Sequence, residues 1–137
     1  MENSKDFIER EIQKLTLMLI KLISQVSGAN LNDFEIGIKE TNDVLKSEFD
    51  LTIGEISNMT DFTLIEKIGV LHETHIEKLV ELLYEIIKKN DLIEAEKVYD
   101  GNKLIEKALL LIEYIDMNSN TFSLKRSNLK NVLQHLI

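Results

Sequence analysis

The chain has 137 residues, no cysteine, no proline and a formal charge of −8. That length fits one domain, residues 1–137, with a core of its own. The missing thiols exclude disulfides, thiolate metal sites and cysteine chemistry, and the acidity disfavours DNA and anionic lipid as partners.

Taken in chain order, the first helix opens on Asn3 or Ser4 as N-cap, with Asp6 and Glu9 suited to its positive end. Ile8, Ile12, Leu15, Leu19, Leu22 and Val26 recur at helical steps and form one stripe. Phe7, Leu17, Met18 and Ile20 fall off or widen that stripe, so this helix has more apolar surface than one face can bury. Those four residues are the candidate interaction patch. Gly28 is placed to supply a left-handed C-cap.

A second helix is expected from Leu31 to Phe49, capped by Asn30 or Asn32, with Leu31, Phe34, Ile38, Leu45 and Phe49 inward. Thr52-Ile53-Gly54-Glu55 has the form of a capping box and predicts a short helix to Asn58. Thr60 or Asp61 then caps a helix carrying Phe62, Ile65 and Ile68, which Gly69 interrupts. From Glu73 to Lys89 the spacing of Ile76, Leu79, Val80, Leu83, Ile86 and Ile87 is amphipathic. Lys88–Asp91 reads as a break, followed by a helix with Ala95, Val98 and Tyr99 and a kink at Asp100-Gly101-Asn102. A last helix, capped by Thr121 or Ser123, turns Leu129, Val132, Leu133 and Leu136 inward. The fold class is all-α, a compact bundle of five to seven helices.

Little in the chain suggests chemistry. His72-Glu73-Thr74-His75 looks like a zinc-protease helix, but that motif needs histidines four apart so that both rings face one ion. Here they are three apart, and a solvated helix start is the expectation. Glu77, Glu81 and Glu85 repeat every four residues opposite the apolar stripe, which reads as a solvated face aided by Lys78. The five glycines are scattered, so there is no phosphate loop, and no serine sits in a nucleophile elbow. Tyr84, Tyr99 and Tyr114 suit helix packing better than a ligand cage. No metal, cofactor or catalytic residue is expected.

All 24 acidic residues lie at or before Asp116, whereas residues 118–137 carry Lys125, Arg126 and Lys130. The expectation is that this basic tail packs back onto the acidic body; an anion or nucleic-acid contact on the last helix is the sharper alternative. Met1 to Asp6 lacks a basic segment followed by an apolar one, so no signal peptide is expected. The longest apolar run, Leu15 to Ile23, is about half of what a bilayer span needs. A cytoplasmic location and no membrane partner follow, and the richness in Ile, Lys, Leu and Asn suggests an AT-rich bacterial genome.

Leu79, Ile86, Ala95 and Tyr99 take positions of one degenerate tetratricopeptide unit, with Leu83 and Asn102 where that pattern has small residues. A single unit cannot form the concave peptide groove of a repeat array. Across its length the chain resembles a family of small all-helical bacterial proteins. The likeness rests on Asp6-Phe7-Ile8-x-Arg10-x-Ile12, Leu82-Leu83-Tyr84, Ala95-x-x-x-Tyr99 and Thr121-Phe122-Ser123-x-x-Arg126, with 101–107 as an insertion. It implies a fold and no activity.

Rich apolar faces without chemistry therefore point to a non-enzymatic helical scaffold or protein-interaction domain, whose partner is another protein or a second copy. The alternative is a small-ligand or effector-binding bundle, which requires a pocket of a few hundred Å³ with converging polar groups.

Overall fold

The computed structural model describes residues 4–94 and 96–137. Ala95, expected on an inner helical face, and Asn3, a candidate cap, lie outside the described residues. Within them the chain is all-α: α1 (Ser4–Gly28), a 3-10 turn (Leu31–Asp33), α2 (Phe34–Phe49), α3 (Ile53–Asn58), α4 (Asp61–Ile68), α5 (Glu73–Leu92), α6 (Gly101–Asn118) and α7 (Leu124–His135).

Without proline, the starts of α3 to α7 each depend on a side chain that satisfies a free amide. α2, expected to be capped by Asn30 or Asn32, starts after Asp33 with no side-chain cap. Thr52 accepts from the Glu55 amide at 3.1 Å and Thr60 from Thr63 at 3.2 Å. Asp100 takes the amides of Asn102 and Lys103 at 3.0 and 3.3 Å, and Ser123 that of Arg126 at 3.1 Å. Of the paired alternatives, Thr60 and Ser123 are thus the caps. At the other ends, Gly28 does not adopt the left-handed conformation expected of it. Among the described residues, the one in that conformation is Asp50 after α2, with φ 55°.

α5 is the axis of the bundle, burying residues as different in direction as Ile76, Leu82, Leu83 and Ile87. α1 and α6 make the most extensive contacts with it. His75 near the start of α5 meets Ile12, and Lys89 near its end donates to the Ala29 carbonyl at 2.6 Å, so α1 runs parallel to α5. α6 returns antiparallel: Asn90 meets Tyr99 at one end, and Glu73 accepts from Ser119 at the other. α7 reverses again and lies along α5 in the same direction. α2 folds back on α1, while α3 and α4 rest on α6, where Lys107 reaches Asp61 at 2.6 Å. Gly69 leaves room beside α6, since a Cβ there would meet the Ile65 carbonyl at 3.1 Å and the Tyr114 hydroxyl at 3.4 Å.

Several local expectations change. Leu31, expected inward on the second helix, is 41% exposed in the 3-10 turn before α2. Phe62 is 72% exposed; Leu64 and Ile68 are the buried residues of α4. α7 packs shallowly, burying Leu133 but leaving Val132 and Leu136 exposed. The tetratricopeptide-like hairpin is not confirmed, because α5 continues through Lys88–Asp91 to Leu92 and the described residues 93–94 and 96–100 are not helical. Asn90 explains this. Its amide donates to the Tyr99 carbonyl at 3.0 Å and its oxygen accepts the Tyr99 amide at 3.2 Å, drawing Tyr99 out of any helix. The expected kink at Asp100-Gly101-Asn102 is instead the capped start of α6.

Candidate interaction surfaces

The glutamate row of α5 is not a solvated face, because α7 lies over it. Glu81 is 7% exposed, and Glu77 and Glu85 are partly covered. Arg126, itself 4% exposed, places Nε 2.6 Å from Asp116, Nη1 3.4 Å from Glu77 and Nη2 2.9 Å from the Thr121 carbonyl. Ser123 donates to Glu77 at 3.0 Å. A buried guanidinium is tolerated when its donors find carboxylates and carbonyls, as they do here.

Glu81 is compensated differently. Lys78 stands 2.9 Å from one carboxylate oxygen and Lys125 pairs with the other, but neither oxygen accepts a hydrogen bond of good geometry. The contacts are ion pairs without aligned N–H donors, so Glu81 is neutralised by charge alone. The basic tail thus packs back on the body as expected, and its target is the row read as solvent-facing.

Beside this clasp lies a groove of about 380 Å³ between α1, α5 and α7. Ile20, Ile23, Tyr84, Leu129 and Val132 form its apolar walls, and Lys78, Glu81, Glu85 and Lys125 reach its edge. Lys88 sits 4.6 Å from the Tyr84 ring centre and 3.1 Å from Glu85, closing one corner.

A second cleft, of about 530 Å³, separates α1 from α2. Met18, Leu22 and Val44 form its apolar floor, and Glu40, Asp43 and Glu48 stand on its α2 rim. A third, of about 690 Å³, lies where Asn90, Tyr99 and Gly101 join α5 to α6. Two of its polar groups are engaged: Asn90 holds the Tyr99 backbone, and the Tyr99 hydroxyl accepts from Asn42 at 3.2 Å. Burial raises the pKa of that phenol above its ordinary value, and the Asn42 bond partly offsets the shift.

The four patch residues do not share one face. Phe7 and Leu17 are each 59% exposed and Ile20 is 43% exposed, whereas Met18 is half-buried. At about 100° per residue, Phe7 lies three turns from Met18 on the side of the α1/α2 cleft. Ile20 falls on the opposite flank, in the α1/α5/α7 groove, and Leu17 points away from the core. Ile8 belongs to the core-facing stripe, yet it is 54% exposed because the first turns of α1 extend beyond the body.

Both histidines of the zinc-like motif have structural work. His72 caps α5, its Nδ1 accepting the Thr74 amide at 3.1 Å. His75 is not solvated; it is 3% exposed, Nε2 donates to the Ile12 carbonyl at 2.9 Å, and its ring meets the edge of Phe49 at 5.7 Å. Among the described residues no three His, Cys, Asp or Glu side chains are grouped to hold a metal ion, and no helix is long and apolar enough to cross a membrane.

No protein-family model matches the chain, and no curated protein or solved structure is found to be similar to it.

Proposed function

We propose that this protein is a non-enzymatic helical interaction domain acting by contact through α1, in keeping with the small all-helical bacterial proteins it resembles and with a cytoplasmic setting. The observation that carries the reading is the mismatch on α1, whose apolar Phe7, Ile8 and Leu17 are all more than half exposed. Scattered apolar residues are ordinary on a surface, but Phe7 and Leu17 lie off the packed stripe and Ile8 lies on its uncovered end, so one helix carries more apolar surface than its neighbours cover. A photo-crosslinking residue in place of Leu17, expressed in the source cells, is expected to yield a discrete adduct. The same residue in place of Glu113, on the exposed side of α6, is expected to yield none. Absence of adducts from positions 7, 8 and 17 alike would sink the proposal.

The second reading, a small-ligand-binding bundle, is favoured by the α1/α5/α7 groove. Its volume of about 380 Å³ lies in the range of small-molecule sites, and charged groups meet at its edge. Native mass spectrometry of the purified chain should then show a bound small molecule that Val132→Trp displaces by filling the groove. A bare polypeptide mass in both proteins argues against it.

A further inference from the structure

α1, like α7, carries more cations than anions in an otherwise acidic chain. Within Ser4–Gly28, Lys5, Arg10, Lys14 and Lys21 outnumber Asp6, Glu9 and Glu11, in a protein whose total charge is −8. Two cations of α7 are used internally, Lys125 on Glu81 and Arg126 on Glu77 and Asp116. Lys14 and Lys21 are exposed, and among the described residues they make no ion pair. Across the neighbouring cleft Glu40, Asp43 and Glu48 are likewise exposed and unpaired.

Helical geometry puts these two sets side by side. Moving around α1 from the cleft, one meets Met18, then Phe7 and Lys14, then Lys21 and Leu17, at roughly 20–40° steps. A ridge of apolar and basic side chains therefore adjoins a cleft with an apolar floor and an acidic rim. Within one molecule Lys21 stands on the α1 wall of the cleft opposite the acidic rim but makes no ion pair with it, and Phe7, Lys14 and Leu17 lie outside the cleft, so the rim stays unpaired. A twofold axis solves this: the ridge of each copy enters the cleft of the other, in a closed, isologous pair.

We infer that the occupant of the α1/α2 cleft is the α1 ridge of a second copy of this chain, with Phe7 and Leu17 as apolar contacts and Lys14 and Lys21 facing Glu40 and Asp43. This rests on α1 being the contact helix, and it names the partner. The pairing opposes the mutual repulsion of two acidic bodies, so local attraction must exceed a weaker long-range term. Exposed ion pairs add modestly to affinity but strongly to selection of partner and register. Salt should weaken the dimer.

The test is sedimentation equilibrium of the full chain at Debye lengths of about 10 Å and about 3 Å, on the wild type and two charge-reversed variants. One variant carries Lys14→Glu and Lys21→Glu, the other Glu40→Lys and Asp43→Lys. All four positions are exposed, and circular dichroism checks that each variant folds. The wild type is expected to dimerise, more weakly at high salt. Each variant alone faces like charge with like charge and should associate at least tenfold more weakly. An equimolar mixture restores both complementary contacts and should recover the dimer. A wild type that stays monomeric at every concentration, variants that dimerise undiminished, or a mixture that fails to associate would each overturn the inference. Crosslinking from position 17 separates the two levels. An adduct of twice the chain mass supports the second copy. An adduct of any other mass overturns it while leaving α1 as a contact helix, and no adduct removes both.

Discussion

α5 and α1 begin from the same sequence pattern and end in opposite states. Both carry apolar residues at helical spacing, and they run side by side. Yet α5 buries ten of its 20 residues and α1 three of its 25, namely Leu19, Leu22 and Val26. The difference is one of position. α5 has α1, α6 and α7 around it, so even its glutamates are covered, whereas residues 4–11 of α1 are exposed throughout. Periodicity reports that a helix has a face to bury; whether that face is covered depends on how many elements reach it.

The comparison is most directly broken in the core of α5. Leu83 is fully buried, and Leu83→Ala should cost about 3 kcal/mol in urea unfolding through lost transfer energy and a residual cavity. A cost below about 1 kcal/mol would mean that α5 is not the axis of the structure.

Next in size is the clasp. Arg126→Ala removes the cation that holds Asp116 and Glu77 together, and should cost about 2 kcal/mol; the cost stays below that of a fully buried pair because both carboxylates keep some contact with water. The loss should appear first as faster amide exchange in α7. Exchange that accelerates equally in all helices would count against a local clasp.

The link between the two compared helices is tested at His75. His75→Phe removes the 2.9 Å bond to Ile12 and should cost about 1 kcal/mol, with exchange rising in the first half of α1. By contrast, Leu17→Ala at a concentration that keeps copies apart should change stability by less than about 0.5 kcal/mol. If the Leu17 effect approached that of Leu83, α1 would be packed on its outer side and the contrast would fail.

The smallest expected effect is electrostatic and lies on neither helix. Asp50 is held below the usual carboxylate range by Lys67 and Lys46, and Glu55 by Lys46. A carboxylate whose folded value is depressed contributes stability above its unfolded value of about 4, and loses it as pH falls through the folded value. Stability should therefore decline on acidification below about pH 4, and carbon-detected titration should give both groups midpoints below those of free side chains. Ordinary midpoints would show that these exposed pairs contribute nothing measurable.

Much of this architecture is legible in the residues. The stripe of α5, those of α1 and α2 apart from the exposed Ile8 and Leu31, and the cap at Thr52 fall where spacing and hydrogen-bonding chemistry put them. What is not legible is tertiary. Glu77, Glu81 and Glu85 look solvent-facing on their own helix, and only the acid-free stretch after Asp116 hints that something basic lies over them. Read together, the glutamate row and the basic tail predict the clasp; read separately, neither does. His75 is hidden for a similar reason, since its acceptor is a backbone carbonyl on α1, and carbonyls leave no mark in a sequence. Of the candidate patch, the exposure of Phe7, Leu17 and Ile20 follows from their positions off the stripe. Its division between two clefts does not, because that depends on where α2 and α7 settle.

The pairing of Asn90 with Tyr99 has a consequence for how this fold can change. One side chain grips both backbone groups of a residue nine positions on, and Asn42 steadies the same tyrosine from α2. The loop between them is thereby closed at its base, and its length is uncoupled from the packing of α5 on α6. Doubling it should cost only about 0.6 kcal/mol in closure entropy. This makes the span before Tyr99 the natural port for an inserted tag, a reporter or a further domain, with the bundle beneath it undisturbed.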